Sequence, residues 1–392
     1  MIHLPEFPIS EALPIEHHGP PPAEADVVVI GGGVIGVSTA LYLNRSGQRV
    51  VLVEKGRIAG EQSSRNWGWI RQQGRDPDEL PIMVQASRLW KELSADCDSK
   101  LGLVRGGLTY LANDTSEMAK FADWLPHAKA NGVDSRLLSR TETAELIPDA
   151  KRNWVGALYT SSDMRAEPWV AVPMLARLAA QEGAVIVEGC AARGIERTGG
   201  QISAVFTEAG PIRTSQVVVA GGAWSSLFLR NAGVNIPQLA VRASVVAVDA
   251  APMAYQGGAA DEKIAFRTRV DGGYSLADAD FHEFLIGPDA FRAFTKFWTQ
   301  IKSDPFGTRY LPAAPKGYPD GWGTKRRWAL DEASPFEAMR VLNPKPNAAK
   351  CAGLVQEFAR LFPNLGPVSA KASWAGMIDT MPDLVPVVDQ VS

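Results

Sequence analysis

Cysteine is scarce. Cys97, Cys190 and Cys351 are the only three in 392 residues, odd in number and scattered without metal-ligand or redox spacing. That excludes a disulfide framework or a cysteine-built metal site and predicts reduced thiols in a cytoplasmic protein. Histidine is also sparse, at five. The one adjacent pair, His17-His18, has no further ligand candidates around it, so no metal site is expected. A surplus of charge is missing too. Forty Lys and Arg against 43 Asp and Glu leave a net charge of −3, and Lys325-Arg326-Arg327, the densest cationic run, reads as a solvated turn. A nucleic-acid partner is therefore not expected. No uninterrupted apolar run is long enough to cross a bilayer, so no transmembrane segment is expected. The N-terminus lacks a cationic segment followed by an apolar core, and no signal peptide is expected either. No internal repeat is visible.

What is present is an ordinary globular composition, 46% hydrophobic and 21% charged, in a chain long enough for two domains or for one with a large insertion. Residues 1–24 are Pro-rich and predict an extended arm lying on the body or partly disordered. From Asp26 to Glu54 the chain reads strand, turn, helix, strand. Val27 to Ile30 is an apolar, β-branched run, Gly31-Gly32-Gly33 a turn, Val34 to Arg45 an apolar-periodic helix, and Arg49 to Val53 a second strand ending on Glu54. This is a βαβ unit carrying G-x-G-x-x-G as Gly31, Gly33 and Gly36. Gly31 permits the tight turn, Gly33 lets the backbone approach a pyrophosphate, and Gly36 brings helix and strand together. The helix-start amides and dipole hold phosphate charge. Glu54 follows about 20 residues on, where a carboxylate accepts hydrogen bonds from ribose hydroxyls. The unit predicts a bound dinucleotide without choosing between NAD and FAD.

Beyond it, 55–74 reads as a polar loop. Helices are expected at 78–96, 116–130, 167–182, 289–302 and 346–362, and a capping box at Ser139–Glu142 starts a short one. Strands are expected on either side of Gly106-Gly107 within 101–111, and at 154–160 and 184–188. A further buried strand, Val217 to Ala220, runs into Gly221-Gly222-Ala223-Trp224. From 234 to 324 the pattern is one of alternating strands, including 239–248, 263–269 and 274–276, and 369–378 follows later. That implies a mostly antiparallel sheet. The fold class expected is α/β, a Rossmann-like dinucleotide domain with a second α+β substrate domain on a mostly antiparallel sheet. Residues 25–100, 150–230 and 370–392 fall to the first domain, and 101–149 and 231–369 to the second.

The glycine turn with Glu54, the Ser63-Ser64-Arg65-Asn66-x-Gly68 loop, the VVVAGGAW strand and the closing TMPDLVPV segment stand in one order. Together they resemble the glycine oxidase/D-amino-acid oxidase family of flavoproteins. The resemblance covers 26–392 in outline and implies FAD, with a sheet-based domain covering the flavin. It also implies oxidation of a carbon–nitrogen bond in an amine, an amino acid or an N-substituted glycine. The substrate would be a sarcosine-, iminodiacetate- or D-amino-acid-like small molecule, and the electrons would pass to oxygen or another acceptor. By the same resemblance Gly31, Gly32, Gly33, Val34, Ile35 and Gly36 hold the pyrophosphate, and Glu54 with Lys55 the adenosine side. Gln62, Ser63, Ser64, Arg65, Asn66, Trp67 and Gly68 run along the pyrophosphate and beside the flavin ring. Ala192 would touch adenine through its backbone, while Gly221 and Trp224 would line the channel. Some relatives attach the flavin through a Cys before the Thr-x-x-Asp-like segment. Here that stretch is Ser373-Trp374-Ala375-Gly376-Met377, so FAD is expected to be non-covalent.

A carboxylate-bearing substrate calls for a bidentate Arg. The candidates are Arg71, Arg75, Arg267 and Arg269. The last two are spaced to share one strand face and one anion. Tyr274, His282 and Trp67 are further candidates for substrate contact, and no catalytic acid or base stands out. Relatives continue beyond TMPDLVPV with a strand, a glycine turn and a helix whose N-terminus faces the flavin. This sequence stops at Ser392, so the expectation is a truncated form with weaker flavin retention. Two other readings remain open: an NAD-linked dehydrogenase, which leaves the Ser-Ser-Arg-Asn loop unexplained, and a flavin-holding subunit without catalysis.

Overall fold

The computed structural model describes residues 7–253, 255–303 and 308–391. Two sheets organise it. The first has four parallel strands in the order Gln216–Val219, Val27–Ile30, Val50–Val53 and Val185–Val187. Its two central strands are wholly buried because both faces are covered. Alternation divides their side chains between two cores. Val27, Val29, Val50 and Leu52 join helices Val34–Arg45 and Pro168–Gln181. Val28, Ile30, Val51 and Val53 join Trp224, Phe228, Phe336 and the antiparallel meander of Ala192–Thr198, Gln201–Thr207 and Gly210–Arg213.

The second sheet has ten mostly antiparallel strands. Its spine is Leu239–Asp249, paired along its whole length with Ser369–Thr380 on one side. On the other side it pairs with Tyr274–Ala277 and His282–Leu285. One face buries Val246, Val248, Phe266, Tyr274 and Leu276 under helix Ala348–Leu361. The opposite face carries Val245, Ala247, Ala265 and Ala277 towards Trp67, Trp69 and the four-stranded sheet. The crevice between the sheets is where the functional loops converge.

Several sequence expectations shift here. Strand Gly156–Thr160 belongs to the large sheet, and so does Ser369–Thr380, which also packs on the Gln62–Arg65 turn, Trp374 Nε1 donating to Arg65 O at 3.0 Å. Within 101–111 only one strand forms, Leu108–Ala112, and the chain before it makes a single bridge from Val104 to Arg165. The single helix expected at 289–302 is two, Pro288–Ala293 and Trp298–Ser303, broken where Phe297 turns inward while Phe294 and Trp298 stay exposed. The expected 55–74 loop contains a helical turn, Gln62–Arg65. Residues 1–6 of the arm lie outside the described residues. From Phe7 onward the arm is packed: Phe7 stacks on Trp169 with centroids 4.4 Å apart, and Glu188 Oε2 accepts the amides of Glu16 and His17 at 2.8 and 2.9 Å.

Candidate dinucleotide and substrate site

The glycine turn is a place where backbones touch. Gly31 has φ +113°, and a Cβ there would lie 2.4 Å from Ala220 O; one on Gly36 would lie 1.9 Å from Gly31 O. Only glycine allows strand end, helix start and neighbouring strand end to meet so closely. At Gly33 a Cβ would meet a single atom, the small Ser63 Oγ, at 3.1 Å. The helix that follows has no acidic residue in its first turn, so its positive end has no counter-charge of its own. Its first amide, Val34 N, donates to Ser63 Oγ at 2.9 Å, and Ile35 is 67% exposed beside it. These are the features of an anion cradle built for a larger guest.

Glu54 is held on its inner edge. Its Oε2 accepts Gly32 N at 2.6 Å and its Oε1 accepts Gly56 N at 2.7 Å. Each oxygen keeps a lone pair for an incoming hydroxyl. Burial pushes its pKa up to about 6, against the pull of Lys55 and the two amides. Lys55 itself points away from the groove: its Nζ donates to Glu61 Oε1 at 2.6 Å and Met339 O at 2.8 Å. Trp224 Nε1 reaches the same carboxylate at 3.0 Å, with Lys55 Nζ 4.5 Å from the indole centroid. Lys55 and Trp224 therefore meet on Glu61, a residue the sequence reading passed over, and not in an open channel. Half-buried Gly221 precedes the 3-10 turn Gly222–Trp224 beside the cradle. Ala192 is buried in the Ala192–Thr198 ladder opposite Thr207, and the preceding amide, Ala191 N, is taken by Glu208 Oε1 at 2.6 Å.

The loop from Gln62 to Gly68 joins the cradle to the crevice. Asn66 ties its turn, donating to Ser63 O at 3.1 Å and accepting Gly68 N at 2.7 Å. Ser64 is fully buried and Gln62 Oε1 is a buried acceptor without a partner. Arg65 departs from the expectation that it neutralises phosphate or bonds the flavin. Only 1% exposed, it donates to Gly60 O, Glu61 O, Ile9 O and Asn343 Oδ1. Burial pushes its pKa down to about 10. It is a brace for the loop.

Past the turn, Trp67 and Trp69 stand edge to face, 4.9 Å apart, over the large sheet. They line a small recess with Val245, Ala265, Arg267, Ser275 and Ala277. Ser275 Oγ is buried there without a partner. Arg267 and Arg269 do not share an external anion. Arg267 is paired through both Nη atoms with Glu167, and Arg269 with Asp271 at 2.9 Å and Asp249 at 3.2 Å. Tyr274 faces the opposite core, donating to Ala251 O at 2.7 Å. His282 opens strand His282–Leu285, outside this wall. Arg75 pairs with Glu79 at 3.2 Å. Arg71 donates from Nη1 to Gln73 O at 2.7 Å and to the Tyr110 hydroxyl. A larger space of about 500 Å³ lies between Leu239, Phe284, Tyr318 and Asp320. It shares no lining residue with the Trp-walled one, and its carboxylates Asp289 and Asp320 are answered by Arg230, Arg292 and Arg326. Among the described residues no cluster of His, Cys, Asp or Glu is arranged for a metal, and no helix is long and apolar enough to cross a membrane.

A helix-end anion cradle joined by one loop to an aromatic-walled cavity on an antiparallel sheet defines a flavin-type dinucleotide enzyme. Residues 26–392 match the DAO family, FAD dependent oxidoreductases, and the chain belongs to that family. Among solved structures, the L-amino acid deaminase of Proteus myxofaciens, in complex with anthranilate, is similar at 31% identity and TM-score 0.92, over 97% of this chain and 86% of that one. Among curated proteins, mouse mitochondrial sarcosine dehydrogenase is 30% identical over 59% of this chain. The glycine oxidase of Bacillus subtilis is 27% identical over 57%. The matches span 26% of the sarcosine dehydrogenase and 61% of the glycine oxidase. The residues present fit FAD. A glycine turn at a helix start with no acidic residue in its first turn, and a carboxylate with spare lone pairs, are the groups its pyrophosphate and ribose require.

Proposed function

We propose that this chain holds FAD non-covalently and oxidises the carbon–nitrogen bond of a small amino acid, imino acid or secondary amine. The observation that carries this reading is the continuity of one loop. Ser63 caps the helix at the cradle, and Trp67, four residues on, walls the cavity. A dinucleotide seated at Gly33–Val34 and running along that loop ends at the cavity. Bound there, FAD supplies the two-electron oxidation that side chains cannot perform. The protein's part is to orient and to exclude water. Trp67 and Trp69 with Val245, Ala265 and Ala277 make a dry wall, and Ser275 Oγ is a free polar contact within it. The similarity to L-amino acid deaminase adds L-α-amino acids to the sarcosine-, iminodiacetate- and D-amino-acid-like substrates. All three cysteines are buried, Cys351 beneath the far face of the large sheet, which favours non-covalent FAD and reduced thiols in a cytoplasmic setting. Electrons then leave to oxygen or another acceptor.

The test is anaerobic mixing of FAD-loaded protein with a panel of amines and amino acids, followed by flavin absorbance. Bleaching by at least one member, and none by NADH, is the expected result. Flavin that is tightly held but never bleached would replace this reading with a non-catalytic flavin-holding subunit.

A further inference from the structure

The exposed aromatic side chains are gathered in one part of the molecule. Among the described residues they are Phe291, Phe294, Trp298, Tyr310 and Trp322, from 68% exposed at Phe291 down to 45% at Tyr310. All five fall on the segment that carries helices Pro288–Ala293 and Trp298–Ser303 and the edge strand Thr308–Leu311. Their spacing explains why they face outward. Ala293 and Phe297, four apart, are buried, while Phe291, Phe294 and Trp298 follow the i, i+3, i+7 rhythm of the opposite face. The Phe294 and Trp298 rings lie 5.5 Å apart, and those of Phe291 and Trp322 6.0 Å apart. Trp322 is fixed by its Nε1, which donates to Ile286 O at 3.1 Å. Single apolar residues on a surface are ordinary, but rings touching one another in solvent form a recognition patch.

The same segment is basic in a chain that is not. Residues 286–327 hold eight Lys and Arg against three Asp, a net charge of +5 within a chain of net −3. Lys296, Lys302, Arg309, Lys316 and Arg327 are exposed. Among the described residues the ion pairs of the segment use the other three cations, Arg292, Lys325 and Arg326. Lys296 falls between Phe294 and Trp298 in the chain, and Lys302 Nζ stands 5.1 Å from the centre of the Trp298 ring. Rings suited to the acyl boundary, beside cations suited to phosphate, are what the interface of an anionic bilayer binds.

The patch is firmly mounted. Buried Asp289 accepts Arg230 Nη2 from helix Ser225–Asn231 at 2.7 Å, and its own amide donates to Asp320 Oδ1 at 2.9 Å. That helix follows the Gly222–Trp224 turn beside the cradle. We infer that this face is a peripheral docking surface for an anionic lipid bilayer, its rings entering the headgroup layer and its cations resting on phosphates. A second copy fits less well, because a two-fold pairing would set two faces of net charge +5 against each other. The inference is independent of the amine oxidised, since the patch shares no residue with the Trp-lined recess.

The test is co-sedimentation of the FAD-loaded full chain with phosphatidylcholine vesicles, with and without about one-third phosphatidylglycerol. Wild type is expected to bind the anionic vesicles about tenfold or more tightly than the neutral ones, and to lose most of that binding in about 0.5 M NaCl. The ring variant Phe291→Ser, Phe294→Ser, Trp298→Ser should weaken binding by about tenfold or more with Tm and flavin content unchanged. The charge variant Lys296→Glu, Lys302→Glu should bind in low salt only as well as wild type does in high salt. Failure of wild type to bind anionic vesicles at low salt overturns the proposal, and so does binding that either variant retains in full. Light scattering that finds a wild-type dimer, made monomeric by the ring variant, together with no vesicle binding, would give the face to a second copy instead.

Discussion

Arg267 and Glu167 form a doubly hydrogen-bonded ion pair, Nη1 to Oε1 at 3.0 Å and Nη2 to Oε2 at 2.9 Å, with side chains 1% and 0% exposed. Glu167 also accepts Val270 N at 2.9 Å, and Arg267 donates to Trp67 O, so the pair fixes the floor of the Trp-walled cavity. Arg267→Met leaves the buried Glu167 carboxylate with Arg165 alone, 3.5 Å away, and is expected to cost roughly 3–5 kcal/mol of stability. The double variant with Glu167→Gln should recover part of that loss. Urea unfolding of the three proteins checks it; a loss below about 1 kcal/mol in the single variant would show that the pair is not holding the floor.

Gly33 and Gly36 should fail in different ways when replaced by Ala. A methyl at Gly36 collides with Gly31 O at 1.9 Å and should destabilise the four-stranded sheet itself. At Gly33 the nearest atom is Ser63 Oγ at 3.1 Å, which a small side-chain adjustment accommodates. Gly33→Ala is therefore expected to keep a near-native Tm and lose FAD, because the methyl stands where the pyrophosphate must approach. Thermal melting together with flavin retention after gel filtration separates the two.

FAD binding should strengthen as pH rises through about 6. Burial raises the Glu54 pKa to about 6, and ribose hydroxyls bond its ionised form. At pH 5 only about a tenth is ionised, so affinity should be about tenfold weaker than at pH 7.5. The stability term has the opposite direction. With a folded pKa above the unfolded one, Glu54 contributes stability that is complete below about pH 4.5 and is lost as pH passes 6. Flavin fluorescence quenching across this range, with Glu54→Gln as the variant whose pH dependence is flattened, tests the assignment.

Phe7 anchors the arm. It stacks on Trp169 at 4.4 Å and lies edge-on to Trp374 at 5.7 Å, with the Arg269 guanidinium 5.4 Å from its centroid. Phe7→Ala should cost about 2 kcal/mol and make the residues before Asp26 more accessible to limited proteolysis. An unchanged digestion pattern would show that the arm is held by its polar bonds, among them those to Glu188, Arg57 and Arg65.

Legibility in the sequence followed contiguity. The βαβ unit was readable because its strand, turn, helix and acidic end are neighbours in the chain, and the VVVAGG strand because it repeats that pattern. Helices expected at 78–96, 116–130, 167–182 and 346–362 appear as Leu80–Asp96, Thr115–Ala130, Pro168–Gln181 and Ala348–Leu361. The box at Ser139 and Glu142 forms as expected. Side-chain commitments were not readable, since they depend on distant partners. Arg267 meets its carboxylate 100 residues away, and Arg65 meets Asn343 278 residues away. Nothing local distinguishes such an arginine from one waiting for a ligand.

The cradle's flanking strand has a consequence for how the protein is made. Val27–Ile30 pairs with Gln216–Val219, and Thr214 Oγ1 donates to Asp26 O across a separation of 188 residues. During synthesis, then, the glycine turn emerges early but stands without its Ala220 neighbour until more than half of the chain has left the ribosome. Such long-range closure is slow. The nascent Val27–Ile30 segment is an apolar strand with an open edge for that interval, and the supply of FAD at the moment of closure should govern how much of the chain reaches its native form.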